Sequence, residues 1–171
     1  MTTALRTARL LLTPHAEPDL DAMAAIWADP RTTEHIGGRP LSREETWRNL
    51  QRHVGHWAMF GWGYLAVRDA ATGALLGEVG LMDSRRDTAP SFEGVPEAGW
   101  AFAPAAWGKG YAREAVSALL AWADARGMAR TVCLIDPANA PSIRLAEALG
   151  YRTASEVAYR GAVSLLFERK V

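Results

Sequence analysis

From Trp107 to Ala112 the chain reads Trp-Gly-Lys-Gly-Tyr-Ala, two glycines around one lysine at the point where a helical pattern begins. Without side chains at Gly108 and Gly110, main-chain N–H groups can approach an anion closely. A helix start adds unpaired N–H donors and the positive end of a dipole, and Lys109 adds a full charge. The chemistry this suggests is diphosphate binding; the competing reading is a flexible turn in which glycine only relieves backbone strain. Two nucleotide motifs are excluded. A P-loop requires Ser or Thr directly after Gly-Lys, and here Gly110 follows Lys109. A dinucleotide fingerprint requires Gly or Ala where Arg113 stands, and belongs after the first strand of its fold.

Other reactive side chains are less suggestive. His53 and His56 lie three apart in a helical stretch without a matching ligand cluster, which predicts a solvated face and no metal. The lone Cys133 sits in an apolar run and reads as a buried structural residue. One cysteine also excludes an internal disulfide or a thiolate cluster, which suits a reducing cytoplasm. Nineteen Lys and Arg balance nineteen Asp and Glu, so no basic excess exists to hold nucleic acid. Apolar runs such as Ala118 to Ala123 are too short for the roughly 20 residues of a membrane span. Met1 to Leu12 lacks the apolar core of a secretory signal. Hydrophobic residues at 49% against 22% charged predict a folded chain, and 171 residues suit one domain, 1–171.

The elements that must position the glycine loop follow from periodicity. Leu5 to Thr13 reads as a strand, and Asp19 to Asp29 as a helix followed by Pro30. Ser42 and Glu45 have capping-box spacing, and Trp47, Leu50, Val54 and Trp57 mark the buried face of the helix behind them. Tyr64 to Arg68 and Leu75 to Met82 form a hairpin across residues 69–73. The polar stretch from Asp83 to Pro96 is long for a connection, and loops of that length are usually functional. Glu97 to Phe102 reads as a strand and Tyr111 to Arg126 as a helix ended by Gly127. Thr131 to Ile135 is apolar enough for a strand of a buried parallel pair. A short helix from about Pro141 to Leu149 and a hairpin turning at Arg160-Gly161 complete the chain. The fold class is α/β, a mixed sheet with helices on both faces.

Three runs in combination, Gly108-Lys109-Gly110-Tyr111-Ala112-Arg113-Glu114-Ala115, Asn139-Ala140-Pro141-Ser142 and Ala148-Leu149-Gly150-Tyr151, resemble the GNAT superfamily of N-acetyltransferases. The opening Thr7 to Leu12 and the segment Glu97-Ala98-Gly99-Trp100 are similar to its RimJ/RimL-like branch, whose name-giving members acetylate N-terminal α-amines of ribosomal proteins. The resemblance implies about seven strands with the two central parallel strands splayed apart, and acetyl-CoA in the gap. It implies that the backbone of Ala101, Phe102 and Ala103 binds the pantetheine arm and that the amides of Trp107, Gly108, Lys109, Gly110, Tyr111 and Ala112 hold the diphosphate. Asn139 would contact the cofactor near the pantetheine, and Ser142 would lie close to the sulfur. Two positions depart from the pattern. Trp107 stands where Gln or Arg is common, and Ala146 stands where many members carry a tyrosine acid, which leaves Ser142 as the acid candidate.

The implied reaction is attack by a neutral amine on the thioester. A lysine ε-amine titrates about 2.5 units above an α-amine, so its neutral form costs about 3.4 kcal/mol more at pH 7. An N-terminal acceptor therefore needs only a weak base. Glu97, which shares one strand face with the small residues Gly99 and Ala101, is the candidate, directly or through water, with Glu78 as substitute. The expected acceptor is a protein N-terminus or a small-molecule amine, and the expected assembly a monomer or homodimer. The alternatives are an acyl-CoA sensor of the same fold without turnover and a nucleotide-binding domain.

Overall fold

Alternating apolar side chains build eight strands among the described residues, 4–171 of a computed structural model: β1 (Leu5–Arg6), β2 (Leu10–Pro14), β3 (Tyr64–Asp69), β4 (Leu75–Met82), β5 (Glu97–Phe102), β6 (Arg130–Ile135), β7 (Arg152–Tyr159) and β8 (Ala162–Lys170). They form one mixed sheet in the order β1-β2-β3-β4-β5-β6-β8-β7. The helices are α1 (Leu20–Trp27), α2 (Pro30–Thr33), α3 (Arg43–Phe60), α4 (Tyr111–Asp124) and α5 (Ala140–Ala148). The sheet has one strand more than the seven expected. The first strand is split by a turn, in which Thr7 N–H donates to the Leu10 carbonyl (3.0 Å) and Leu10 N–H to Thr7 Oγ1 (3.0 Å). Pro30 does not follow one long helix but opens the short α2, where its fixed φ suits the first turn.

Every neighbouring pair of strands is antiparallel except β5 and β6, which are parallel and paired at Glu97 and Val132 alone. Beyond that pair they diverge toward their C-terminal ends. One face of the sheet is apolar: Leu12, Val67, Val79, Leu81 and Phe102 pack against Ala115, Val116 and Leu119 of α4. Ile143 and Leu149, at and beyond α5, add to the same cluster. The opposite face is covered in two parts. Helices α1 and α3 lie over β2 to β4, with Met23 and Leu50 buried. The 83–96 loop covers β6 to β8, where Phe92 packs on Val132, Val157 and Leu166. Strand β5 runs between these covers.

Helix α3 starts on the expected capping box, since Ser42 Oγ accepts from Glu45 N–H (3.2 Å) and Glu45 accepts from Ser42 N–H (2.8 Å). Its buried face is rotated from the one read in the sequence. Thr46, Leu50, His53 and His56 face inward, whereas Val54 is 45% exposed. The β7–β8 hairpin turns at Arg160 and Gly161, both at positive φ, as a two-residue loop of this hand requires.

Candidate active site

Strand β5 delivers the chain through a short turn at Pro104–Ala106 to the glycine loop, and α4 begins at Tyr111. Gly108 (φ +73°) and Gly110 (φ +78°) are both left-handed, which side-chain-bearing residues rarely adopt. A Cβ at Gly108 would meet nothing within 4 Å, so open space faces the loop. Residues 107–110 form a turn, but among the described residues no N–H from Gly108 to Arg113 makes a close, well-aligned hydrogen bond to a main-chain carbonyl. A curved row of free donors thus leads into a 14-residue helix. The loop is braced by Arg9 of the β1–β2 turn, which donates to the Lys109 carbonyl (2.9 Å) and to Glu114 (2.7 Å) and lies over the Tyr111 ring (4.6 Å). Sequence reading placed Arg9 only in a first strand; nothing local marks its partners a hundred residues away.

The divergence of β5 and β6 leaves main-chain groups of β5 without a strand partner on that side. Successive residues of a strand bond to opposite sides. Ala103 N–H donates to Leu76 of β4 (2.9 Å), so the N–H groups of Phe102 and Trp100 point into the gap. Trp107, half exposed, donates its indole N–H to the Phe102 carbonyl (2.8 Å). Of the three strand-end residues, Ala101 and Ala103 therefore flank the gap and Phe102 presents its N–H. On the far side, Asn139 caps α5 by accepting from Ser142 N–H (3.2 Å) through Oδ1, which leaves its amide NH2 free of that bond. Ser142 Oγ accepts from the Trp100 indole (3.2 Å) across the divergent strands. Its own hydroxyl hydrogen stays available to another acceptor.

On the opposite face of β5, Glu97, Gly99 and Ala101 line up as alternation requires. Glu97 is 7% exposed, and Arg86 of the 83–96 loop holds both its oxygens at 2.7 Å. Burial works against the Arg86 charge, but these bonds outweigh it and hold the guanidinium above its ordinary pKa. Nothing in the polar 83–96 stretch singled out Arg86. The Tyr64 ring lies over Gly80 and brings its hydroxyl against Gly99, where a Cβ would sit 1.9 Å from the oxygen. Burial, and then the charges of Glu78 and Glu97, raise the Tyr64 pKa, so the phenol keeps its proton at neutral pH. This face of β5 is thus a stretch of small residues between a phenol and an ion-paired carboxylate.

The two histidines expected on a solvated face are buried, because α3 is rotated so that they point at the sheet. His56 bridges the Trp62 carbonyl (Nδ1, 2.7 Å) and Asp83 N–H (Nε2, 3.0 Å), a structural tie. His53 stacks on Tyr64 at 4.4 Å and lies beside His15 and Glu78; burial lowers its pKa to about 4. Glu78, the substitute base, belongs to this enclosed cluster. Cys133 is 1% exposed, and burial, with the charge of Glu97 second, raises its pKa, as befits an unreactive core thiol.

The sheet thus parts between two parallel strands, and a glycine loop with exposed main-chain donors stands at the end of the first. Residues 9–152 match the Acetyltransferase (GNAT) domain family, and the chain belongs to it: it is a GNAT acetyltransferase. The uncharacterized protein YkkB of Bacillus subtilis (strain 168) is 30% identical over 148 residues, covering 85% of this chain and 82% of that protein. A Bordetella pertussis structure described as a GNAT-family acetyltransferase is 39% identical with a TM-score of 0.85, covering 98% of this chain and 99% of the other. RimL, a ribosomal L7/L12 alpha-N-protein acetyltransferase solved in complex with coenzyme A, shares the fold. Its TM-score is 0.78 at 14% identity, over 99% of this chain and 98% of that one. No helix of the described residues is long and apolar enough to cross a membrane.

Proposed function

We propose that this acetyltransferase moves the acetyl group of acetyl-CoA to a primary amine, either a protein N-terminal α-amine or a small-molecule amine. The supporting observation is the alignment of free main-chain donors from Gly108 to Arg113 with the gap between β5 and β6. Trp107, Gly108, Lys109, Gly110, Tyr111 and Ala112 hold the diphosphate, the Phe102 N–H between Ala101 and Ala103 takes the pantetheine, and Asn139 contacts it from α5. Acetyl-CoA supplies an activated thioester.

The chain's own groups serve a direct attack. As the amine nitrogen bonds to the carbonyl carbon and the C–S bond breaks, the Trp100 N–H, aimed into the gap, stabilises charge on the carbonyl oxygen. Ser142, aligned by the Trp100 indole, donates its hydroxyl hydrogen to the departing sulfur. The amine proton passes to Glu97, directly or through water. Arg86 occupies both Glu97 oxygens in the free protein, and an incoming ammonium is a cation able to compete for them. RimL bears on the acceptor: a protein of the same fold is an α-N-protein acetyltransferase.

Thiol release from acetyl-CoA, measured over a panel of peptides with free N-termini and of small primary amines, tests the reading. Release should match acetylated amine one to one in at least one acceptor class. Tight coenzyme A binding without release across the panel would instead support a sensor that has lost turnover.

A further inference from the structure

Away from the glycine loop, three side chains from distant stretches converge beneath α3: His15 just after β2, His53 of α3 and Glu78 of β4. We propose that His15, His53 and Glu78 form a buried binding site for one divalent transition-metal ion, with zinc the ion their chemistry fits best. One candidate ligand atom from each lies within 4.8 Å of the others. His15 Nε2 stands 3.0 Å and His53 Nδ1 3.5 Å from the same oxygen, Glu78 Oε2. Ligands about 2.0–2.2 Å from a tetrahedral zinc stand roughly 3.4 Å apart, so small ring rotations complete the set.

The orientation of the rings carries the argument. All three residues are at least nine-tenths buried, yet both nitrogens of His15 and Nδ1 of His53 have no hydrogen-bond partner. Buried polar atoms without partners are rare in native proteins. At 3.0 Å, His15 Nε2 and the carboxylate are close enough to bond, but the oxygen lies off the N–H axis. A hydrogen bond puts its acceptor on that axis. A metal puts the ion there and the neighbouring ligand to one side, which is the arrangement found.

The surroundings suit a cation. Asp19 Oδ2 lies 3.8 Å from His15 Nδ1 and is itself fixed by the Ala16 N–H (3.0 Å), while Arg68 holds the other Asp19 oxygen. At that distance Asp19 does not hydrogen-bond Nδ1, but its carboxylate adds negative charge beside the ring, and a proton on Nδ1 leaves the Nε2 lone pair for the metal. His53 is held by its stack on Tyr64. A cavity of about 10 Å³ between the three side chains, lined also by Thr46 and Asn49 of α3, has room for about one water-sized particle, enough for the ion itself. Two imidazoles and one carboxylate favour zinc over magnesium or calcium, which prefer oxygen alone. Such an ion would tie β2, α3 and β4 together beneath Tyr64.

The inference is independent of the acetyl acceptor, because metal retention is read without turnover. The full chain, stripped with a chelator and titrated with zinc, should retain one zinc per chain after desalting. His53→Gln and Glu78→Gln should each weaken zinc binding by at least about tenfold while keeping coenzyme A binding as the measure of a folded protein. Wild-type protein that retains no zinc, or folded variants that retain it equally, would overturn the proposal. Should the variants not fold, zinc-soaked wild-type crystals measured at the zinc absorption edge decide. An anomalous peak between the three side chains supports the site; a peak only elsewhere, such as at the surface pair His35 and Asp136, or none at all, refutes it.

Discussion

Glu97 shows how much a single residue's role depends on its neighbour. Both of its carboxylate oxygens are held by the Arg86 guanidinium, so a substrate amine has to compete with Arg86 to reach them. Glu97→Gln removes the proposed proton acceptor but keeps the side chain's shape. The expected result is a fall in kcat of roughly 10²-fold, with coenzyme A affinity unchanged, because the diphosphate loop is on a different segment. An unaltered rate and pH profile would remove Glu97 from the reaction. Its placement on a face with Gly99 and Ala101 was legible from strand alternation. Arg86 was not, since it reaches Glu97 from a loop whose path no periodicity dictates.

At the level of elements, α3 is set by its first turn. The Ser42–Glu45 box pairs two N–H groups that the helix itself cannot satisfy. Ser42→Ala should destabilise the protein by about 1 kcal/mol, seen as a drop of roughly 2–4 °C in Tm for a chain of this size. Glu45 accepts from Arg39 and from Ser42 N–H, which hold its pKa down to about 2, below the 4.5 of an unperturbed carboxyl. A depressed carboxylate stabilises fully above its unfolded pKa and stops doing so as pH falls through its folded value. The cost of Glu45→Gln should therefore be nearly equal at pH 7 and pH 5, shrink as pH falls below about 4.5 and vanish below about 2, a comparison that melting curves can make. The box was readable as a spacing of three. Which face of α3 is buried was not, because Val54 and His53 are adjacent and only the sheet beneath the helix selects between them.

For the whole molecule, the gap between β5 and β6 and the loop at its mouth predict that coenzyme A stabilises the folded state. At a ligand concentration about 100 times Kd the gain is about 2.7 kcal/mol, a clear rise in Tm. Gly110→Val should abolish that rise. A branched side chain is strained at φ +78°, and its Cβ would come within 3.4 Å of the Arg9 guanidinium that braces the loop. A full shift retained in the variant would show that the anion binds elsewhere. The cost of the open gap is carried by the rest of the sheet: every other adjacent pair is antiparallel, and α4 seals the apolar face.

Local spacing by itself determined the glycine loop, the capping box, the two hairpins and the order of strands and helices, because each depends on residues within a few positions of one another. It also carried the family, through three short runs that stand at fixed places along the chain. Only the tertiary structure decided that Arg9 braces the loop, that Arg86 guards Glu97, that Trp100 reaches Ser142, and that His15, His53 and Glu78 meet. Those pairings join side chains from distant segments, and their distances are set by sheet register and helix rotation, which no short window of sequence contains.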